Sequence, residues 1–306
     1  MQNISAYLNR PFVAADFAEV ARSSWACDLK SLVAKYREAG LPVLNGSFEY
    51  SNFFEGPAQL STLHPYRLWE YSSLALVSDR IPVGCRVLDV GGAGSPLPYF
   101  LAERGHDVLA VDLQPLLVTL CNHVANARKL SLHALVADVT EGLADSPTAT
   151  FDLITCISVL EHIDRTARRT ALCGIAKLVK PGGLFYLTFD YGDHFEATKY
   201  RNTGESSSSI SNVEQLCEDL DYAGFGFLGN DPRLLPPAVL NERRSPGSRE
   251  LRMRMSLNVG VVDSSTRWRT LAKYVIRRLL RARPATTSRY ESHNFFRIFA
   301  IRTDRP

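Results

Sequence analysis

The feature that most constrains this chain is a change of hydrophobic rhythm at Arg86. From there, apolar runs of strand length alternate with segments of helical period. The runs are RVLDV (86–90), DVLAVDL (107–113), LHALVAD (132–138), FDLITCIS (151–158) and LFYLTFD (184–190); the helical segments lie near Leu97 to Arg104, Pro115 to Arg128 and Arg165 to Val179. Strands of continuous apolar character are buried on both faces, which is the signature of a parallel sheet covered by helices on either side. Right-handed crossovers then give a doubly wound α/β fold, with its ligand site outside the carboxyl ends of the strands.

The flanks have a different character. Residues 1 to about 80 read as a helical, aromatic-rich zone, with apolar residues at helical spacing over Ala14 to Ala21 and Trp25 to Glu38, Gly40 placed to end the second helix, and a third helix around Leu68 to Val77. On the other side, Ser211 and Glu214 form a capping box for a helix running to about Asp221, with Gly224 just beyond it. The apolar segments FGFLG (225–229) and NFFRIFAIR (294–302) are expected to close the sheet as an antiparallel pair, with a basic insertion, 231–293, between them. The organisation expected is a helical N-terminal zone (1–80), an α/β core (81–230 plus 294–303) and that insertion.

Composition narrows the class. The chain has 306 residues, 45% of them hydrophobic and 22% charged, which excludes a disordered or fibrous protein and allows a sizeable core. Six cysteines (Cys27, Cys85, Cys121, Cys156, Cys173, Cys217) include no C-x-x-C pair, so a reduced, cytoplasmic chain without a zinc or redox site is expected. The first residues lack the cationic start and apolar stretch of a signal peptide, and no run approaches the ~20 apolar residues of a membrane span. Net charge is +3, yet residues 1–232 hold 18 basic and 27 acidic residues, while residues 233–306 hold 17 basic and 5 acidic ones. Such asymmetry points to an anionic partner.

Chemistry concentrates at the ends of the predicted strands. In VLDVGGAGSPLPYFLAERG (87–105), a strand reaching Asp89 passes through Gly91, Gly92 and Gly94 into a helix with Pro96 near its first turn. Glycines there let a ligand approach backbone where a side chain would collide. Asp112 ends the next strand about 20 residues later, where a carboxylate accepts hydrogen bonds from vicinal ribose hydroxyls. Asp138 ends the third strand on the same edge, within reach of an adenine amino group. FDLITCISVLEHI is expected to bring Ser158, Glu161 and His162 to one face, and KPGGLFYLTFD ends a helix at Pro181-Gly182-Gly183 before the fifth strand.

In this order and at these distances, the five segments resemble the class I S-adenosylmethionine-dependent methyltransferases, especially the branch with a Glu-His pair after the fourth strand. The resemblance covers roughly residues 67 to 229 plus the last strand. The chain departs from the family's D-x-G-x-G-x-G in carrying Ala93 and Ser95 at the second and third glycine positions. A dehydrogenase shares strand, glycines and acid, but its G-x-G-x-x-G would read Gly92, Gly94 and Leu97, without the third glycine. The Asn- or Asp-Pro-Pro-aromatic tetrad of nucleic-acid adenine methylation is replaced by Cys156-Ile157-Ser158-Val159, so no DNA substrate is expected.

The resemblance implies a Rossmann-like seven-stranded sheet, S-adenosyl-L-methionine as cofactor, and in-line transfer of its methyl group to a nucleophile. The cofactor site it implies comprises Arg67, Tyr71, Asp89, Gly91, Gly92, Ala93, Asp112, Leu113, Asp138, Val139, Cys156 and Ile157. Arg67 is placed to pair with the cofactor carboxylate and Tyr71 to contact its methionine end; alternatively the helix of Trp69 and Leu76 simply packs on the sheet. His162 is the first choice for a catalytic base, being neutral near pH 7. Asp190 and His194 lie where acceptor contacts are expected. Glu161, His162 and His194 are a conceivable metal set, but the second carboxylate that a metal site wants is Ser158 here, and no metal is expected.

Within the insertion, RWRTLAKYVIRRLLRARP (267–284) places Trp268, Leu271, Ala272, Val275, Ile276 and Leu279 on one helical stripe, with Arg267, Lys273, Arg277, Arg278 and Arg281 outside it. Such a helix packs with a solvated basic face, lies on an anionic membrane surface, or collects an anionic polymer. The expected function is methyl transfer to a small-molecule or glycan acceptor, anionic or lipid-linked, at a hydroxyl oxygen. RNA ribose 2'-O-methylation and a non-catalytic cofactor-binding scaffold are the alternatives.

Overall fold

The computed structural model describes residues 8–11, 20, 22–39, 41, 65–141, 147–191, 198–199, 206–207, 210, 213–235 and 294–303. In chain order the elements are β1 (Arg10–Pro11), α1 (Ser24–Glu38), α2 (Pro65–Ser72) with a 3-10 continuation (Ser73–Arg80), β2 (Arg86–Val90), α3 (Leu97–Glu103), β3 (Asp107–Asp112), α4 (Pro115–Arg128), β4 (Leu132–Val136), β5 (Phe151–Ile157), α5 (Arg165–Leu178), β6 (Val179–Tyr191), the pair β7 (Thr198–Lys199) and β8 (Ser206–Ser207), α6 (Val213–Tyr222), β9 (Phe225–Phe227) and β10 (Asn294–Arg302).

The main sheet runs β1-β10-β6-β5-β2-β3-β4, with β9 also paired to β10. Strands β2 to β6 are mutually parallel along this path, and β10 is antiparallel to β6, β9 and β1. These are the seven strands expected plus the two-residue β1, in a zone whose sequence reads only as helical. Strand order reverses between β2 and β5, and a crevice opens at such a point outside the carboxyl ends of the two strands.

Alternation along the strands feeds two cores. Val87, Val108, Leu153 and Tyr186 face a layer made by α1, α2, α3 and α4. Leu88, Val111, Ile154 and Leu187 face α5 and α6. The described N-terminal helix belongs to the first core, with the Trp25 ring edge-on to Phe100 at 5.4 Å and Tyr36 edge-on to Tyr99 at 5.8 Å.

Local chemistry sets the boundaries. Asp164 caps α5, accepting from the Thr166 and Ala167 amides. Pro115 opens α4, and Lys129 closes it in the left-handed conformation at φ 55°. The helix expected over Leu68 to Val77 turns 3-10 after Ser72, where the Ser73 hydroxyl donates to the Trp69 carbonyl at 2.6 Å; such back-bonding bends helices. Pro181-Gly182-Gly183 follows the end of α5 as expected but lies within β6, in the register shift between the Phe151–Val179 and Leu153–Leu184 pairs.

Strand β9 ends at Phe227 opposite Ala300, whereas β10 begins at Asn294 opposite Tyr191, the carboxyl end of β6. The chain therefore re-enters the sheet, rather than leaves it, at the ligand end. Residues 236–293, with the amphipathic stretch 267–284, lie outside the described residues, as do Ala14 to Phe17, Gly40 and Ser211.

Candidate active site

The β2–α3 turn is built around a buried carboxylate. Asp89 is 1% exposed; its Oδ1 accepts from the Thr155 hydroxyl at 2.6 Å, and its Oδ2 has no hydrogen-bond partner among the described residues. Burial pushes its pKa up to about 7, opposed by the Thr155 hydrogen bond and reinforced by the Asp112 carboxylate. A Cβ on Gly92 would overlap this carboxyl group, and one on Gly91, at φ +71°, would collide with Val159. Both positions therefore require glycine, and both leave backbone bare at the crevice.

The two departures from the glycine pattern have visible roles. Ala93 is 2% exposed, and its backbone polar group lowers the Asp112 pKa against the burial that raises it. Ser95 is 8% exposed; its Oγ accepts from the Leu97 amide at 3.3 Å, and its side chain acts on the Tyr71 hydroxyl, lowering its pKa against the burial that raises it. Serine in place of the third glycine thus satisfies a backbone amide at the start of α3. Burial holds the Tyr71 hydroxyl far above its ordinary pKa, so it stays protonated.

Asp112 ends β3, its Oδ1 accepting from the Gln114 amide at 3.0 Å. Burial raises its pKa against the Gln114, Ala93 and Leu113 backbone groups. The Asp112 carbonyl accepts from the Ala137 amide at 3.1 Å, which brings the Asp138-Val139 turn alongside. Asp138 Oδ1 accepts from both the amide and the hydroxyl of Thr140 at 2.7 Å. Leu113 is 64% exposed, whereas Val139 and Cys156 are buried.

Across the crevice, α2 contributes Arg67 and Tyr71. One pocket is lined by Arg67, Tyr71, Asp89, Gly91, Gly92, Ser95, Ile157 and Ser158, all from the segments that the sequence singles out. Behind its wall lies a network that the sequence reading missed. Arg67 Nη1 donates to Glu70 Oε2 at 2.8 Å and to Ser158 Oγ at 2.7 Å. Glu70 Oε1 accepts from the hydroxyls of Ser158 at 2.7 Å and Thr188 at 2.6 Å. Ser158 sits at φ 53°, the left-handed region that costs a residue with a β-carbon about 1–2 kcal/mol. Its two hydrogen bonds supply the compensation. The only advance signal was the i,i+3 spacing of Arg67 and Glu70, which is common on helices and says nothing of burial.

Ser158, Glu161 and His162 sit in different settings. Ser158 lines the pocket, while Glu161 is 1% exposed and acts electrostatically on Cys156 and on Arg168 of α5. His162 is exposed on the 3-10 turn Leu160–His162. The turn's short period aims successive side chains in different directions, so adjacency in sequence does not become adjacency in space. Desolvation on the protein side of the ring, aided by the Arg67 guanidinium, lowers the His162 pKa below its ordinary value. Among the described residues, no group of three or more His, Cys, Asp and Glu side chains is arranged to hold a metal ion. Asp190 lies on β6 opposite Phe295, its side chain outside the described residues, as is the whole of His194.

The chain is similar to known proteins over part of its length. Residues 88–187 match the family model described as a methyltransferase domain. The chain is 37% identical over 135 residues to a ubiquinone biosynthesis O-methyltransferase of Xanthomonas axonopodis pv. citri, covering 44% of this chain and 53% of that protein. It is 36% identical over 135 residues to the enzyme of the same name from Xylella fastidiosa, covering 44% and 51%. The chain thus spans about half the length of the curated relatives it matches. Among solved structures, phosphoethanolamine N-methyltransferase 2 of Haemonchus contortus, in complex with S-adenosyl-L-methionine, superimposes with a TM-score of 0.47 at 21% identity, over 76% of this chain and 52% of that one. Among the described residues no helix is long and apolar enough to cross a membrane.

Proposed function

We propose, for a chain whose residues 88–187 match a methyltransferase domain, that it is a class I S-adenosylmethionine-dependent enzyme, that the crevice between β2 and β5 binds that cofactor and that the protein methylates a hydroxyl oxygen of a small-molecule or glycan acceptor. The observation that carries the reading is the convergence of Asp89, Gly91, Gly92, Ser158 and Arg67 on one pocket at the point where strand order reverses. The residues fit the group: two glycines admit no side chain, and a buried carboxylate, with one oxygen unpartnered among the described residues, lines the same space.

In this reading Asp112 receives the ribose hydroxyls, and Asp138 and Val139 border the adenine with Leu113 at the outer edge. Cys156 and Ile157 underlie the crevice, and Arg67 and Tyr71 hold the amino-acid end. When bound, the cofactor supplies an electrophilic sulfonium methyl group. The chain's own contribution is then alignment, exclusion of water and removal of one proton. A ring nitrogen of His162, neutral at pH 7, takes the proton of the acceptor hydroxyl. Asp190 and His194 are assigned to the acceptor side by their place after the fifth parallel strand, and segment 231–293 to the acceptor lid or an anionic contact. The curated relatives, which are O-methyltransferases by name, support oxygen as the target atom.

The test is incubation of the purified chain and S-adenosylmethionine with fractionated metabolite extracts. A product heavier by CH2 with one equivalent of S-adenosylhomocysteine per turnover supports the reading. Mass gain only in ribose of added RNA would instead favour RNA methylation, and cofactor binding without any product would favour a scaffold.

A further inference from the structure

Glu70 meets the pocket wall from behind. It is 0% exposed and engages Arg67, Ser158 and Thr188, of which Arg67 and Ser158 line the pocket. A second buried guanidinium lies on the same side: Arg297 stands opposite Thr188 in the β10–β6 register and over the Trp69 ring at 5.0 Å. Glu70 is therefore held in place by three hydrogen bonds, one of them within its ion pair with Arg67.

We propose that Glu70 is a specificity-determining residue whose charge, by offsetting that of Arg67 at the pocket wall, lets the site prefer the cationic sulfonium substrate over its neutral thioether product. The inference rests on the cofactor reading above. S-adenosylmethionine and S-adenosylhomocysteine differ by one methyl group and one positive charge, so hydrogen bonds to their shared parts cannot separate them. A buried, preorganised charge can, because it acts through a low-dielectric wall and costs no reorganisation. With Glu70 neutral, the wall would be more positive by one charge, which favours a carboxylate and repels a sulfonium. The pocket would then hold product at the expense of substrate.

The experiment is calorimetric titration of the full-length chain with each ligand separately, comparing wild type, Glu70→Gln and Thr188→Val. Glu70→Gln keeps an acceptor for Arg67 but removes the charge. It is expected to raise the ratio of the substrate Kd to the product Kd by about fivefold or more, the scale of one added charge acting through a protein-like medium. Thr188→Val removes a hydrogen bond and no charge, and its ratio is expected to stay within about twofold of wild type. Equal weakening of both ligands in Glu70→Gln, or no change in either, overturns the proposal. If Glu70→Gln does not fold, Arg67→Met replaces it and should move the ratio the other way; an unmoved ratio again overturns the proposal. A wild-type chain that binds neither ligand overturns the cofactor reading and this inference with it, whereas binding of both with an unshifted ratio overturns the inference alone.

Discussion

The Ser158 hydroxyl donates to Glu70 Oε1 at 2.7 Å across 88 residues of sequence, joining the carboxyl end of β5 to helix α2. Because Arg67 also donates to Ser158, the wall of the crevice is held by a buried ion pair, with Glu70 0% and Arg67 14% exposed at the side chain. Removing one partner of such a pair costs about 3–5 kcal/mol, since the other is left buried without its counter-charge. Helix α2 is thus part of the site, not a lid laid over it.

The glycines of the β2–α3 turn should be intolerant of any side chain. Gly92→Ala would drive a methyl group into the Asp89 carboxyl, and the turn must shift to relieve it. We expect a loss of roughly 1–3 kcal/mol in stability and no measurable S-adenosylhomocysteine binding by calorimetry. Wild-type affinity in this variant would show that the turn does not form the crevice floor.

Asp112→Ala should weaken cofactor binding without unfolding the chain. Hydrogen bonds to a charged group contribute about 1.5–3 kcal/mol each, so an increase in Kd of at least about tenfold is expected. Unchanged affinity would contradict the ribose assignment.

Asp89 makes the ligand-free protein sensitive to pH. Its folded pKa of about 7 lies above the unfolded carboxylate value, so its contribution is whole below about pH 4 and is lost as pH rises through about 7. A rise of that size corresponds to about 4 kcal/mol as an order of magnitude. Asp89→Asn, which still accepts from Thr155, should therefore melt higher than wild type at pH 8, with the advantage shrinking toward pH 5. A constant difference across that range would place the ionisation elsewhere.

For His162, the lowered pKa means that the neutral imidazole persists below pH 6.5. The acid limb of kcat should accordingly fall below that pH in the wild type and vanish in His162→Gln. That variant is expected to lose about 10²–10⁴ in kcat while its Kd for S-adenosylhomocysteine stays within about twofold. An unaltered kcat would remove His162 from the chemistry.

Much of the fold was legible because it rests on local signals. Strand β10 matches the apolar run 294–302 residue for residue, and α4 begins at the proline and ends at the arginine that the pattern marks. The crevice was legible for the same reason: glycines and an acid at strand ends have few other uses. What escaped was whatever depends on partners far apart in sequence. Glu70, Thr155 and Thr188 look like ordinary polar residues until the sheet brings them together beneath Asp89 and Ser158. Glu161 and His162 lie on a 3-10 turn rather than on a regular strand end, a boundary that the apolar run does not mark. Strand β1 is two residues long, too short to carry a period, and it is held by tertiary bonds such as Asn9 Oδ1 accepting from the Phe299 amide at 2.7 Å.

The most direct measurement is titration of the wild-type chain with S-adenosylhomocysteine, followed by melting of the same samples. If the crevice holds the cofactor, heat saturates at one ligand per chain and the melting temperature climbs with ligand, a stabilisation of about 2.7 kcal/mol at one hundred times Kd. No heat and an unmoved melting temperature would contradict it.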